Sequence, residues 1–299
     1  MKKQKLRALF ITGTVILFSC GGDKTDNTPE SDTQDSVQAE VIKQNDEQTV
    51  YYQIPSPDEM FDFIKNGGLS FKQDLLLPIE NSEKYNTALQ QSLIFGIYSA
   101  DLAYTAAFEE YQTSLKYFGT VQKMADRLGI SSAYDASTAE RIKNNLENAD
   151  SLVKVTGDTY FSVVDYLEQN NEETKLGAIA TAGWIESMYI VLNSLENNPN
   201  SDVLQRIKDQ KLTFENLYDY LQQHNHSPQV EKIITLVEPL NEFFNNIEEN
   251  NDAKTTFTKK DGKFVLGGED TVAPLSEEQT AELKDLVNNI RTKIIEENV

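Results

Sequence analysis

The chain has 299 residues, 48 acidic and 27 basic side chains, and a formal net charge of −21. That acidity excludes a nucleic-acid binder, which needs clustered Lys and Arg, and one Cys excludes intrachain disulfides and Cys-rich zinc sites. An apolar fraction of 39% suffices for a buried core in one domain or two small ones.

The N-terminus opens with Lys2, Lys3, Lys5 and Arg7, then an apolar run from Ala8 to Phe18 interrupted only by Thr12, Gly13 and Thr14. This is the layout of a secretory signal, and the run is too short to span a bilayer. Leu17-Phe18-Ser19-Cys20, followed by Gly21-Gly22, looks like a bacterial lipobox. The resemblance implies a lipoprotein signal peptide over residues 1–19, diacylglycerol on the Cys20 sulfur, cleavage before Cys20 and acylation of the new N-terminus. An uncleaved anchor with an incidental Cys is the alternative. Cleavage leaves a mature chain of net charge −25. So acidic a body repels anionic headgroups, so the acyl chains must supply the attachment.

Residues 20–49 read as a disordered acidic tether. Gly21 to Thr49 carries eight acids and two lysines, and its only apolar residues beyond Gly, Pro and Ala are Val37, Val41 and Ile42. It cannot bury enough surface to offset its ordering entropy. A coil of about 29 residues reaches roughly 30 Å. Asp35-Ser36-Val37 matches the Asp-Ser/Thr-apolar acceptor of O-glycosylation in Bacteroidota, which makes Ser36 a glycosylation candidate. Asp150-Ser151-Leu152 and Asp270-Thr271-Val272 fit the same short pattern, so plain spacer is the competing reading. Asp23-Lys24-Thr25-Asp26 is a sparse version of the acidic stretch of surface-exported lipoproteins, and the membrane face stays open.

Residues 50–299 read as one helical domain, with an alternative sub-boundary near 196–200. Ser56-Pro57-Asp58-Glu59 is a capping box with Pro at the first helical position, and Gly67-Gly68 ends that helix. An extended connection from Leu69 to Pro78 follows. Asn81 or Ser82 can cap a long helical stretch towards Arg127 and Gly129, with Gly96 and Gly119 as candidate breaks. Ser137 can cap the next helix, whose Ile142, Leu146, Leu152, Val155, Tyr160, Val163 and Leu167 keep helical spacing to about Gln169. Thr174 to Leu195 is helical, stopped by Asn197-Asn198-Pro199. Ser201 opens a helix to about His224, and Ser227-Pro228 another to about Asn250. Lys259-Lys260-Asp261-Gly262 predicts a β-hairpin, and Ser276-Glu277-Glu278-Gln279 caps a final helix to about Glu297. The expected class is all-α: a bundle of seven to eight helices with one small hairpin near the C-terminus.

Two stretches stand apart. Tyr85 to Phe108 has one charge, Asp101, and Leu176 to Leu195 has one, Glu186. Apolar nearly all round, they should be the central helices. A charge at the middle of the second argues against a membrane span. Gly96, Ala100, Ala103 and Ala107 in the first, and Gly177, Ala180 and Gly183 in the second, allow close mutual packing. Asp101 and Glu186 are therefore the sharpest site candidates, with Tyr98, Tyr104, Trp184 and Tyr189 nearby in sequence. An acid among aromatics on a concave surface would suit a polar small molecule, a sugar or a cation. The competing reading is a buried acid satisfied by a Tyr, a Lys or a helix N-terminus. On that reading Asp101→Asn should lower thermal stability. His224 and His226, in Gln-Gln-His-Asn-His-Ser-Pro, are a weak metal candidate with no adjacent acid.

Tyr52-x-Ile54-Pro55-Ser56-Pro57, Gly96 to Tyr104 (GIYSADLAY) and Ala182-Gly183-Trp184-Ile185-Glu186-x-x-Tyr189 resemble segments of an uncharacterised all-helical lipoprotein family of Bacteroidota. The resemblance covers about residues 50–195 and implies fold, lipidation and cell-envelope location, with no activity to carry over. No nucleophile elbow, phosphate loop, His-Glu-x-x-His or dinucleotide glycine pattern is present, and no cofactor is implied. The leading expectation is a lipid-anchored envelope protein, most naturally in the outer membrane, that binds a small molecule or protein without catalysis. A hydrolase or lyase using Asp101 and Glu186 in a bundle cavity is the first alternative, and a purely structural envelope protein the second.

Overall fold

Apolar residues on every side of a helix force neighbours on every side of it, and that builds this protein from the inside. In a computed structural model, residues 60–61, 65, 69–133, 140–141, 149–195, 201–247, 257–260, 263–266, 274–296 and 299 are described. The signal peptide with Cys20, the tether with Ser36, the Ser56–Glu59 box and Gly67-Gly68 lie outside them. So do the Ser137 cap with Ile142 and Leu146, Asn197–Pro199 and the Asp261-Gly262 turn.

A connector with two 3-10 turns, Gln73–Leu75 and Ile79–Glu83, leads into α1 (Ala88–Ala107) and α2 (Tyr111–Leu128). Then follow α3 (Ala149–Gln169), α4 (Glu173–Ser194), α5 (Ser201–Gln223), α6 (Pro228–Asn245) and α7 (Glu277–Ile295). Residues 50–299 form one compact unit. The central pair is α1 and α4, which pack most extensively on each other. Around them, α1 also meets α2, α3 and α7, while α4 meets α3, α5, α6 and α7. The all-α reading therefore holds. Among the residues whose side chains are described, every long element is a helix.

Close approach explains the glycine at the centre. A Cβ on Gly96 would lie 2.3 Å from the Ile179 carbonyl oxygen and 2.9 Å from the Gly183 nitrogen. Gly96 is thus a contact glycine and not a helix break, which corrects one expectation. Gly177 faces Leu221 and Tyr220 instead of α1. Gly119 sits inside α2 against open space and breaks nothing either.

The long stretch divides at Phe108–Glu110. Glu109 takes a left-handed backbone (φ 63°) and donates its N–H to the Ala106 carbonyl. No glycine marks this turn; the cue is the switch from an apolar run to Glu109-Glu110. The start also differs from expectation. Thr87 caps α1 in a reciprocal box with Gln90, while Asn81 and Ser82 lie in a 3-10 turn. The remaining described caps follow the sequence reading. Gly129 closes α2 in the left-handed region (φ 72°), Ser227 caps α6 with Pro228 behind it, and Ser276 forms a box with Gln279. The α6 helix ends at Asn245, earlier than the Asn250 expected.

Candidate functional site: a buried carboxyl pair under the connector

Asp101 lies halfway along α1 and Glu186 halfway along α4, where the two central helices pack, and both are completely buried. The packing sets the two carboxyl groups close enough for Glu186 to act on Asp101. Two like charges in a dry core need a counter-charge, and Arg291 of α7 supplies it. Its Nε donates to Glu186 Oε2, and its Nη2 donates to Glu186 Oε1 at 2.8 Å and to the Leu75 carbonyl at 3.2 Å. The guanidinium also lies 3.9 Å over the Tyr189 ring. This fork on a carboxylate is the strong, directional form of an ion pair.

The cluster also holds the connector. Its two 3-10 turns satisfy some of its backbone polar groups, and side chains satisfy others. Leu77 N–H donates to Asp101 Oδ2 at 3.1 Å. Tyr117 of α2 donates to the Leu77 carbonyl at 2.9 Å, and Tyr98 donates to the Pro78 carbonyl at 2.8 Å. Lys72 N–H donates to Tyr104 Oη at 2.8 Å, and Lys72 Nζ reaches the Asn193 carbonyl at 3.0 Å near the end of α4. Arg127 closes the far end by donating to the Ser82 and Tyr85 carbonyls.

Burial sets the protonation states. Removal from water, and then the Glu186 charge, hold the Asp101 carboxyl well above the usual carboxylate range; Arg291 and the Leu77 N–H pull the other way. Burial likewise pushes the Tyr98 and Tyr117 phenols upward. For Arg291, burial opposes the charge, but Glu186 outweighs it through both charge and hydrogen bonds and tightens the proton.

The expected site residues thus fall into separate groups. Asp101, Glu186, Tyr98, Tyr104 and Tyr189 all touch the connector or the ion pair. Trp184 does not join them: its ring lies 5.2 Å from Phe214 and 6.2 Å from Phe244, and its Nε1 donates to Gln210 at 3.2 Å. Two positions along a helix place it on a different face from Glu186, towards α5 and α6. His224 stacks on Tyr220 with its Nδ1 2.8 Å from the Tyr220 carbonyl, while His226 is exposed. Among the described residues no group of three His, Cys, Asp or Glu side chains could hold a metal ion. Likewise, no described helix is long and apolar enough to cross a membrane.

Arg291, Tyr117 and the connector backbone are what sequence reasoning missed. Arg291 does carry a cue: it falls four residues after Val287 on the apolar stripe Leu283, Val287, Ile290, Ile294 of α7. A cation in such a stripe needs a buried anion. Two cavities among the described residues lie elsewhere. One of about 490 Å³ sits between the starts of α1, α4 and α6, beside Thr87, Lys175 and Lys232. Another of about 780 Å³ lies between α6 and Lys293. Neither is lined by Asp101 or Glu186. Comparison with family models, curated proteins and solved structures finds no match for this chain.

Proposed function

We propose that this chain is a lipid-anchored cell-envelope protein, held in the outer membrane through Cys20, whose helical body is a binding or interaction module and not a catalyst. One observation carries the non-catalytic part. Both central carboxyl groups are fully buried and engaged within the body, Asp101 with the Leu77 N–H and Glu186 with Arg291. A carboxylate pair working on a substrate needs room for that substrate or a water between its oxygens. Both carboxyl groups bond to groups of the chain itself, which favours an internal clasp over the hydrolase or lyase reading. The anchoring part rests on the basic n-region, the apolar run and Leu17-Phe18-Ser19-Cys20. Signal cleavage, a tether over residues 20–49, a glycan at Ser36 and kinship with the Bacteroidota lipoproteins belong to the same proposal. So does the C-terminal hairpin, for which the antiparallel register of Phe257 with Leu266 and Lys260 with Lys263 is the support.

Expression of the full chain and of Cys20→Ala in a Gram-negative host tests the anchor. The expected outcome is that the parent incorporates labelled palmitate and partitions into the detergent phase of a cloud-point extraction, while Cys20→Ala does neither. A parent that stays unlabelled and aqueous overturns the proposal.

A further inference from the structure

The clasp has one atom whose bonding is incomplete. Asp101 Oδ2 accepts from Leu77 N–H, but Asp101 Oδ1, also fully buried, receives no N–H or O–H. Glu186 is the anion that acts on it, and both of its oxygens already accept from Arg291. Two carboxylates cannot bond to each other, because neither has a donor. Three formal charges, two negative and one positive, would leave one uncompensated charge in the core, which is strongly unfavourable.

We infer that Asp101 and Glu186 form a proton site: Asp101 is a neutral carboxylic acid in the folded protein at neutral pH and donates its proton to Glu186. The bound proton gives Oδ1 its partner and reduces the core to one ion pair, Glu186 with Arg291. It also joins three parts of the chain in one hydrogen-bonded path, from the connector through Asp101 and Glu186 to α7. Losing the proton places two carboxylates in contact, and the path opens at that point. The clasp is therefore strongest in acid and weakens as the pH rises.

The groups facing the pair are Tyr98 and Tyr104 from α1, Tyr117 from α2 and Tyr189 from α4. Arg291 comes from α7, while Asp74 and Glu80 of the connector act on the tyrosines. Burial raises all four phenols, so they stay neutral across the relevant range. Asp74 and Glu80 are common to parent and variant and cancel in a comparison.

The sign follows from proton counting. The unfolded chain releases the Asp101 proton near the ordinary value of about 4, while the native chain keeps it. The native state then binds one more proton, so each pH unit above about 4 lowers the parent's folding constant tenfold relative to a chain lacking this group. Asn has the shape of the neutral acid: its oxygen can accept from Leu77 N–H and its NH₂ can donate to Glu186. This reverses the expectation drawn from the sequence, in which Asp101→Asn weakens the protein.

The test is denaturant unfolding of the full chain and of Asp101→Asn between pH 5 and 8. The expected result is a folding-constant ratio of variant to parent that rises about tenfold per pH unit until the native proton leaves. A flat ratio, or one that falls with pH, overturns the inference. A second measurement needs no variant. In the parent labelled with ¹³C at the aspartate carboxyls, one resonance should keep the chemical shift of a protonated acid from pH 5 to 7. If every aspartate titrates below pH 5, Asp101 is a carboxylate and no proton is shared.

Discussion

At the scale of single residues, the central acids are read best as ties between parts of the chain. Glu186 is matched by an arginine 105 positions away, and the same guanidinium bonds the Leu75 carbonyl. Breaking a buried pair costs more than never having made it, because the survivor is left charged in a dry site. Arg291→Met should lower the unfolding free energy by about 3–5 kcal/mol. The double variant Glu186→Leu/Arg291→Met should lose clearly less than the two single losses added together, which urea titrations of all three variants would show. The tyrosine hydroxyls act on a smaller scale. Tyr117→Phe removes the donor to the Leu77 carbonyl and leaves a buried acceptor bare, an expected loss of about 1–3 kcal/mol in the same titration.

At the scale of elements, two glycines with similar sequence surroundings have opposite roles. Both lie inside helices, where Gly is unfavourable by roughly 0.5–1 kcal/mol relative to Ala. At Gly119 nothing stands in the way of a methyl group, so Gly119→Ala should raise the melting temperature. At Gly96 a Cβ meets the backbone of α4 at Ile179 and Gly183, which no rotamer change can relieve. Gly96→Ala should therefore separate the central helices and cost about 1–3 kcal/mol, seen as a lower melting temperature. The same contrast shows what could be read locally. The boxes at Thr87 and Ser276 depend on residues three apart, and Ser276 was legible from the sequence alone. The turn at Glu109 was not. Its left-handed backbone is imposed by α2 folding back on α1, and Glu has no preference for that conformation.

At the scale of the whole molecule, the proposed anchoring leaves attachment to the lipid and not to charge. The mature chain of the proposal, with net charge −25, would be repelled by an anionic bilayer. Cys20→Ala protein should then stay in the supernatant when centrifuged with vesicles rich in anionic lipid, even at low ionic strength. Appreciable pelleting would mean that a local basic patch overrides the net charge.

The sequence by itself determined the helical class, the identity of the two central helices and the position of their acids. Each of these depends on periodicity or composition within about 20 residues, and apolar residues around a whole helix already require burial. It also carries the signals on which the anchor proposal rests. Only the tertiary structure decided what the acids touch. Arg291, the Leu77 N–H and the Tyr117 hydroxyl reach Glu186, Asp101 and the connector across sequence separations of 105, 24 and 40 residues. No local pattern encodes such pairings, because they exist only once α1, α4 and α7 have packed. That packing buries both acids and pairs Glu186 with Arg291 and Asp101 with the Leu77 N–H, because polar groups taken into a core need partners within the chain.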